Sequence, residues 1–275
     1  SALVGLVGEG QEIHAGEEAG IAQWNDAVQP SAGRKTWEVH CSERLKSQFS
    51  NVTVKTYKHL DLTISLRSHR ADSLHEWVVA LLAGQISEAA RLANKIQAQM
   101  FPMYLTRDLD DAKQYLEDRY EGDTQARYGI IASSKSHKLL EKYGVHSDFM
   151  ATKNVRIAKW FNEPKGHPRS CCELKDVVTE FGCQGLELDF PLIAWSDDMK
   201  WQSKSWQFTK FRTRYELEDP EQIRRNAYRV LLTRGRDGFV IFVPPDASMD
   251  ETEHTLLASG IEVLPSAVQQ VAASA

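Results

Sequence analysis

The sequence predicts an α/β fold with a mainly parallel sheet and helices on both faces. From residue 102 onward, short apolar strands alternate with segments of helical periodicity, which is typical of parallel sheets. The clearest strands are the apolar runs Phe190–Trp195 and Gly238–Val243. A chain of 275 residues suits one large or two small domains.

The remaining elements follow from local periodicity. Before residue 102, strands are predicted at Ala2–Val7 (short and buried), Trp37–Cys41, Val52–Tyr57 and Leu60–Leu66, a helix at His14–Val28, and a helical region from Asp72 to Met100 that is interrupted near Gly84. After it, strands are predicted at Pro102–Thr106, Arg127–Ser133 and Ile261–Leu264, and helices at Asp110–Tyr120, Lys135–Tyr143, Pro220–Thr233 and Glu251–Ala258. The alanine-rich tail after Pro265 is expected to fray.

Composition argues against several classes of protein. The formal net charge of −5 and the pI of about 6.0 do not fit a surface coated for nonspecific DNA binding. The sequence has no apolar run of the roughly 20 residues that a membrane span needs and no signal-peptide pattern, so the default compartment is the cytoplasm. The four cysteines form no Cys-x-x-Cys pair and the nine histidines lack ligand spacing, so we expect no metal site.

Two short segments carry polar side chains that suit phosphate. The first, Leu6-Val-Gly-Glu-Gly-Gln11, would place the Gln11 amide after a strand, where it can bind a phosphate oxygen or orient a water. The second, Leu62-Thr-Ile-Ser-Leu-Arg67, ends a strand in a guanidinium group, whose rigid fork of donors matches phosphate. A Gly-rich turn and an ordinary surface arginine are the respective alternatives.

Two longer segments lie further along the chain. The Gln-Gly segment, Val178–Asp189, makes a tight turn at Gln184-Gly-Leu-Glu187, where Glu187 can bind a ribose hydroxyl and backbone amides can face a phosphate. The Thr-Arg segment, Arg224–Val243, ends a helix in Thr233-Arg-Gly-Arg236, where an arginine can reach a transferred phosphoryl group. A plain loop-to-strand turn and a basic helix C-cap are the alternatives.

The four segments resemble, in order and wording, motifs III, IV, V and VI of UvrD-type superfamily 1 helicases. Leu6-Val-Gly-Glu-Gly-Gln11 is similar to Gly-Asp-x-x-Gln with altered spacing, and Ile64-Ser-Leu-Arg-Ser68 to Asn-Tyr-Arg-Ser. Phe181-Gly-Cys-Gln-Gly-Leu-Glu187 resembles His-x-x-Lys-Gly-Leu-Glu with Gln184 in place of the lysine, and residues 228–236 resemble Tyr-Val-Ala-Leu-Thr-Arg-Ala-Arg. Residues 8–20 and 181–197 look still more like a family of bacterial helicase-like proteins related to the C-terminal helicase region of the Schlafen proteins.

The resemblance implies a RecA-like fold and an ATP-dependent helicase or translocase. Residues 1–60 would be the end of a first RecA-like domain, residues 61–265 the second RecA-like domain, and residues 266–275 a frayed tail. Gln11, Arg67 and Arg234 would act at the γ-phosphate, and Gln184, Gly185, Glu187 and Arg236 would line the nucleotide. ATP and Mg²⁺ would need a missing N-terminal RecA-like domain, because the sequence has no Gly-x-x-x-x-Gly-Lys-Ser/Thr loop. Such a fragment is not expected to hydrolyse ATP by itself.

Two tracks combine positive charge or aromatic rings in ways that suit nucleic acid. Lys153, Arg156 and Lys159 begin a basic stretch that extends to residue 175, and residues 195–215 interleave Trp201 and Trp206 with lysines and arginines. Both tracks can bind single-stranded DNA or RNA, because bases stack on aromatic rings and phosphates pair with cations. Solvated loops and a packed hairpin are the alternatives.

Two functional hypotheses follow. In the first, the chain belongs to an ATP-dependent nucleic-acid helicase or translocase and supplies its phosphate-sensing glutamine and arginines. In the second, it is a nucleotide-gated module that binds nucleic acid or protein without translocation. ATP turnover that depends on Arg234 separates the first from the second.

Overall fold

The structure, a computed structural model, describes residues 2–5, 12–14, 20–29, 37–61, 69–135, 137–209 and 219–265. The chain divides into two compact units, one made of Ser1–Ser68 with Arg212–Asn226 and the other of His69–Phe211 with Ala227–Ala275. The domain boundaries predicted after residues 60 and 265 stay predictions. Within the described ranges, no helix combines the length and apolar character needed to cross a membrane.

The first unit contains a short helix and a pair of parallel strands. Its elements are α1 (Ala22–Val28), β1 (Glu38–Cys41) and β2 (Thr53–Thr56), with 3-10 turns at Glu43–Gln48 and Lys58–Leu60. The strands β1 and β2 pair in parallel, with Glu38 opposite Thr53. This pairing confirms the two strands predicted on either side of residues 43–49.

Other predictions for the first unit need correction or lie outside the described residues. The buried strand predicted at Ala2–Val7 is wrong for its described part, because residues 2–5 form no strand and Leu3 and Val4 are exposed. An apolar run becomes a strand only where a neighbour takes its backbone hydrogen bonds. The helix predicted at His14–Val28 is found from Ala22 onward, and the strand predicted at Leu60–Leu66 falls mostly on residues outside the described ranges.

The second unit is built on a six-stranded sheet in which every strand is parallel to its neighbours. In chain order its elements are α2 (His69–Leu82), α3 (Ile86–Ala98), β3 (Met103–Thr106), α4 (Leu109–Arg119), β4 (Ile130–Ala132), α5 (His137–Glu141), α6 (Phe149–Thr152), α7 (Ile157–Asn162), β5 (Val177–Thr179), α8 (Glu180–Cys183), β6 (Leu192–Ala194), β7 (Met199–Gln202), β8 (Ser205–Phe208), α9 (Pro220–Leu232, whose second half belongs to this unit), β9 (Phe239–Phe242), α10 (Asp250–Ala258) and β10 (Glu262–Val263). The lateral order of the sheet is β10, β3, β9, β6, β4, β5. The strands β7 and β8 form a separate antiparallel hairpin.

Helices lie on both faces of this sheet, as predicted. The connections β3–β4 and β4–β5 move toward one edge of the sheet, whereas β5–β6, β6–β9 and β9–β10 move toward the other. Because crossovers between parallel strands are right-handed, opposite directions place the connecting helices on opposite faces. Accordingly α4 to α7 cover one face, while α8, the second half of α9, and α10 cover the other.

The helix and strand order predicted after residue 102 is confirmed, with element ends shifted by a few residues. The interruption predicted near Gly84 is also confirmed. Gly84 has a φ of +76°, a left-handed conformation that other residues adopt only with strain, and it separates α2 from α3. The short helices α6, α7 and α8 and the three-residue edge strand β5 were not predicted, because each is too short to show a period.

Candidate functional site

The Gln-Gly and Thr-Arg segments lie against each other where β6 and β9 begin. The amide of Leu188 donates to the carbonyl oxygen of Arg234 at 2.8 Å, and the amide of Arg236 donates to the carbonyl oxygen of Leu188 at 2.8 Å. The amide of Asp237 donates in turn to the carbonyl oxygen of Asp189 at 2.9 Å. These bonds continue the parallel pairing of β6 with β9. The structure therefore joins two of the four predicted segments into one surface.

Arg234 links these two segments through its side chain. It is only 1% exposed, and its Nε donates to the carbonyl oxygen of Val230 at 2.9 Å. One terminal nitrogen donates to the carbonyl oxygen of Leu186 at 3.0 Å and the other to Oγ1 of Thr233 at 3.1 Å. Because the Val230 carbonyl belongs to the last turn of α9, the predicted basic helix C-cap is confirmed. The contact of Arg234 with a γ-phosphate stays a prediction.

The Gln-Gly turn has the form that its sequence predicts. The amide of Leu186 donates to the carbonyl oxygen of Cys183 at 3.0 Å, and Gly185 has a φ of +85°. Gln184, Gly185 and Glu187 are all exposed. The Gln184 amide, the backbone of the turn and the Glu187 carboxylate therefore face solvent, and such groups suit phosphate oxygens and sugar hydroxyls.

Gly185→Ala is expected to cost about 1 kcal/mol of unfolding free energy, because an alanine at positive φ is strained. A Cβ built on Gly185 meets no atom within 4 Å, so no steric clash adds to the strain. Gly144→Ala is the matched control, since Gly144 has a φ of +77° and equally open surroundings. Urea denaturation measures both variants. A cost for Gly185→Ala that far exceeds that for Gly144→Ala would show that the turn depends on more than backbone freedom.

Arg236 is the accessible cation of the joined segments. Its side chain is 61% exposed, and one terminal nitrogen lies 3.0 Å from Oδ1 of Asp189. The other carboxylate oxygen of Asp189 accepts from the amide of Arg127 at 2.6 Å, which holds the carboxylate in place. Because the Asp189 side chain is only 13% exposed, the pair is buried on its acidic side. The exposed guanidinium of Arg236 has further N–H donors, which can bind a phosphate while one donor stays on Asp189.

Cys183 lies at the end of the short helix α8, directly before the Gln-Gly turn. Complete burial raises the pKa of this thiol to about 12, because desolvation disfavours the thiolate. Cys183 is therefore a packing residue rather than a nucleophile or metal ligand at neutral pH. Within the described ranges, no group of three or more His, Cys, Asp or Glu side chains is placed to hold a metal ion.

A buried polar cluster that the sequence analysis missed lies at the opposite edge of the sheet. Asp198 accepts from Oγ of Ser133 and from the hydroxyl of Tyr228, both at 2.7 Å. Glu180 accepts from the amide and the hydroxyl of Ser134, both at 2.8 Å. The sequence signal that could have predicted this cluster is the polar residues directly after the apolar strands β4, β5 and β6. Ligands of open α/β sheets bind at this carboxyl edge.

Gln11 and Arg67 lie outside the described residues. Their predicted action at a γ-phosphate together with Arg234 stays a prediction.

The two tracks predicted to bind nucleic acid differ in solvent exposure. Lys153, Arg156 and Lys159 are exposed, as a binding surface requires. Trp206 is only 6% exposed and its Nε1 donates to the carbonyl oxygen of Leu81 at 2.8 Å, so the base-stacking role predicted for it is corrected to a core role. Trp201 is half-buried, with its ring edge-on to Trp206 at 5.1 Å between centroids. The packed-hairpin alternative therefore describes β7 and β8.

A family model described as the Schlafen group 3 DNA/RNA helicase domain matches residues 1–245 of the chain. The match includes both joined segments and confirms the predicted relation to a Schlafen helicase region, while the finer assignment to UvrD-type motifs stays a prediction. No curated protein matches the sequence. Because the family match covers most of the 275 residues, the chain belongs to the Schlafen group 3 DNA/RNA helicase domain family.

Proposed function

We propose that the chain is the second RecA-like domain of an ATP-dependent translocase that moves along single-stranded DNA or RNA. The observation that supports this most directly is the junction of the Gln-Gly and Thr-Arg segments. Two segments about 50 residues apart in sequence share a backbone ladder and a buried arginine, with polar side chains exposed on both turns. Membership of a helicase domain family supports the same function.

The exposed groups of the two turns fit a nucleotide. The guanidinium of Arg236 and the amide of Gln184 can donate to phosphate oxygens, and the carboxylate of Glu187 can accept from ribose hydroxyls. ATP would supply the phosphoryl group that is transferred to water, and Mg²⁺ would be held by a partner RecA-like domain that carries the phosphate-binding loop. Gln11 and Arg67 would approach the γ-phosphate as their motifs imply.

Arg234 has a positioning role in this proposal. Its guanidinium holds the carbonyl oxygens of Val230 and Leu186 at once, so the end of α9 and the Gln-Gly turn move together. Tyr228 lies on the same helix and donates to Asp198 at the carboxyl edge of the sheet. A displacement of either turn by a nucleotide would therefore reach the opposite edge of the sheet through α9.

ATP hydrolysis by the full-length protein, measured with and without single-stranded nucleic acid, tests the proposal. Arg236→Ala is expected to lower the stimulated rate about tenfold or more, less than the roughly 10³-fold effect of losing an arginine finger. Its unfolding free energy is expected to fall by only about 1 kcal/mol, because the mostly buried Asp189 carboxylate loses one partner. Arg91→Ala is the matched control, since Arg91 is also exposed and ion-paired, with Glu88 on α3. Equal rates for Arg236→Ala and the unmodified protein would contradict the proposed contact.

A second candidate is a nucleotide-gated binding module without translocation. Two observations favour it: Gln184 stands where the resembled motif has a lysine, and the Arg234 guanidinium is engaged by main-chain carbonyls and the Thr233 hydroxyl. A module of this kind would bind nucleotide with no turnover above background in the presence of nucleic acid. Equilibrium binding of a fluorescent ATP analogue, measured beside the hydrolysis assay, distinguishes the two functions.

A further inference from the structure

We propose that α6 and the first turn of α7 form a binding site for single-stranded nucleic acid, in which a base stacks on Phe149. The Phe149 surface consists of Phe149, Met150, Lys153, Arg156 and Lys159. This inference rests on the proposed function, because it supplies a contact for that function's polymer substrate. It replaces Trp206, which the structure places in the core, as the aromatic partner of a base.

Phe149 is unusually accessible for an aromatic side chain. Its side chain is 76% exposed and that of the neighbouring Met150 is 65% exposed. Among the described aromatic residues the next most exposed ring is Trp37 at 46%. Burial of a phenylalanine normally stabilises a fold by roughly 1.5–3 kcal/mol, so a ring held in solvent forgoes that gain. A ligand with a flat apolar face would recover part of it.

The ring is presented by a well-anchored backbone. The carboxylate of Asp148 caps α6 by accepting from the amides of Met150 at 2.7 Å and Ala151 at 3.2 Å, so its charge is engaged by the helix itself. The following helix, α7, is fixed by Trp160, which is buried and donates through Nε1 to the carbonyl oxygen of Asp176 at 3.3 Å. The other face of α7 carries Lys159 into solvent. The site is therefore largely preformed.

Three exposed cations follow the exposed ring in the sequence, and one of them contacts its neighbour Met150. Nζ of Lys153 lies 3.4 Å from Sδ of Met150, which places one cation beside the apolar pair. Arg156, the N-cap of α7, and Lys159 within α7 are exposed further along the chain. In the part of the chain that the structure describes, no carboxylate forms an ion pair with these three cations. A local run of three such cations in a chain of net charge −5 complements a phosphate backbone.

The position of the surface in the fold suits a polymer ligand. A Cβ built on Gly182 of α8 would lie 2.8 Å from Cδ1 of Ile157, so the start of α7 packs tightly on the helix that directly follows β5. The start of α7, with its N-cap Arg156, therefore lies beside the carboxyl end of the edge strand β5, where open α/β sheets bind ligands. The joined nucleotide-facing turns lie at the amino ends of β6 and β9. The two ligands would occupy opposite edges of one sheet.

Fluorescence anisotropy of a labelled oligothymidylate of about 20 nucleotides, titrated with the whole chain, tests the ring. Phe149→Ala is expected to weaken binding about fivefold or more, which is the effect of losing one stacked base. Phe149→Trp is expected to restore the affinity, because indole also stacks on bases. Met100→Ala is the control, since Met100 is a comparably exposed apolar residue at the end of α3.

The salt dependence of the same titration tests the charges. For single strands the slope of log K against log salt concentration falls by about 0.7 for each phosphate contact that is lost. The double variant K153A/R156A is expected to reduce the slope by about 1.4. Its control removes the exposed cations Arg91 and Lys95 from α3 and is expected to leave the slope unchanged.

Three results would overturn the inference. The first is unchanged oligonucleotide affinity in both Phe149→Ala and K153A/R156A, and the second is a wild-type chain that fails to bind the oligonucleotide at low salt. The third is variants that bind the oligonucleotide normally but lose capture of an acidic peptide, which would identify the surface as a protein-docking site. The first and third results leave ATP hydrolysis by the full-length protein unaffected, whereas the second also counts against movement along single strands. Conversely, the full-length protein could show no ATP hydrolysis while Phe149→Ala and K153A/R156A still weaken oligonucleotide binding. That outcome would support the Phe149 surface and contradict the proposed function.

Discussion

Arg234→Met is expected to lower the unfolding free energy of the chain by about 3 kcal/mol, because hydrogen bonds to a charged group contribute roughly 1.5–3 kcal/mol each and leaving their acceptors unpaired is costly. Methionine fills much of the arginine volume but cannot donate to the carbonyl oxygens of Val230 and Leu186. The end of α9 and the Gln-Gly turn would then lose their side-chain link. The midpoint of urea denaturation, with an unchanged m-value, measures the loss.

Arg236→Met provides the matched control for this prediction. It makes the same chemical change two residues away, at a side chain that is 61% exposed, and it takes one partner from the mostly buried Asp189 carboxylate, so its cost is expected to be about 1 kcal/mol. Equal destabilisation by the two variants would mean that the buried hydrogen bonds of Arg234 do not hold the segments together.

The same pair of variants separates two roles for Arg234. An arginine finger acts only on the transition state, so its loss lowers the rate of hydrolysis by roughly 10³-fold and leaves stability unchanged. A positioning residue changes both quantities, because the groups that it holds become misplaced. A rate loss accompanied by a fall in stability would support positioning, whereas a rate loss at constant stability would make Arg234 the finger.

Much of the fold could be predicted from the sequence because its information is local. The strands β3, β4 and β9 are apolar runs that are each followed by a segment of helical period, and this order indicates a parallel sheet. The lateral order of the six strands is not local information. β9 lies between β3 and β6 although they are far apart in the chain, and no periodicity encodes that neighbourhood.

The candidate site shows the same division. The tight turn at Gln184-Gly185 and the basic helix end at Arg234 each have a local signature, so each could be predicted by itself. Their junction could not, because it depends on β6 and β9 being neighbours in the sheet.

The aromatic residues show why surface predictions are harder. Trp206 lies among lysines in the sequence, but it is buried because its indole reaches the carbonyl oxygen of Leu81, 125 residues away. Phe149 is the opposite case. Phe149 and Met150 are adjacent apolar residues, which is typical of a buried segment, yet Phe149 is exposed. Its helix is only four residues long, and the Asp148 cap holds the backbone of that helix rather than the ring. Exposure of a single aromatic ring is therefore a tertiary property.

Trp195→Ala is expected to lower the unfolding free energy by about 4 kcal/mol, the range typical of removing a buried tryptophan. Its indole is fully buried, and the ring centroids of Trp206 and Tyr228 lie 5.5 Å and 4.3 Å away. Its Nε1 also donates to the carbonyl oxygen of Met199 at 2.6 Å, so truncation removes a hydrogen bond as well as the packing. Urea denaturation measures the change.

Trp201→Ala provides the contrast, because it removes a half-buried indole from the hairpin of β7 and β8 and is expected to cost only about 1 kcal/mol. The difference matters for function, since Tyr228 both contacts the Trp195 ring and donates to Asp198. Loss of Trp195 would loosen the second half of α9, and with it the position of Arg234. A Trp195→Ala variant as stable as Trp201→Ala would show that this aromatic stack does not fix the helix.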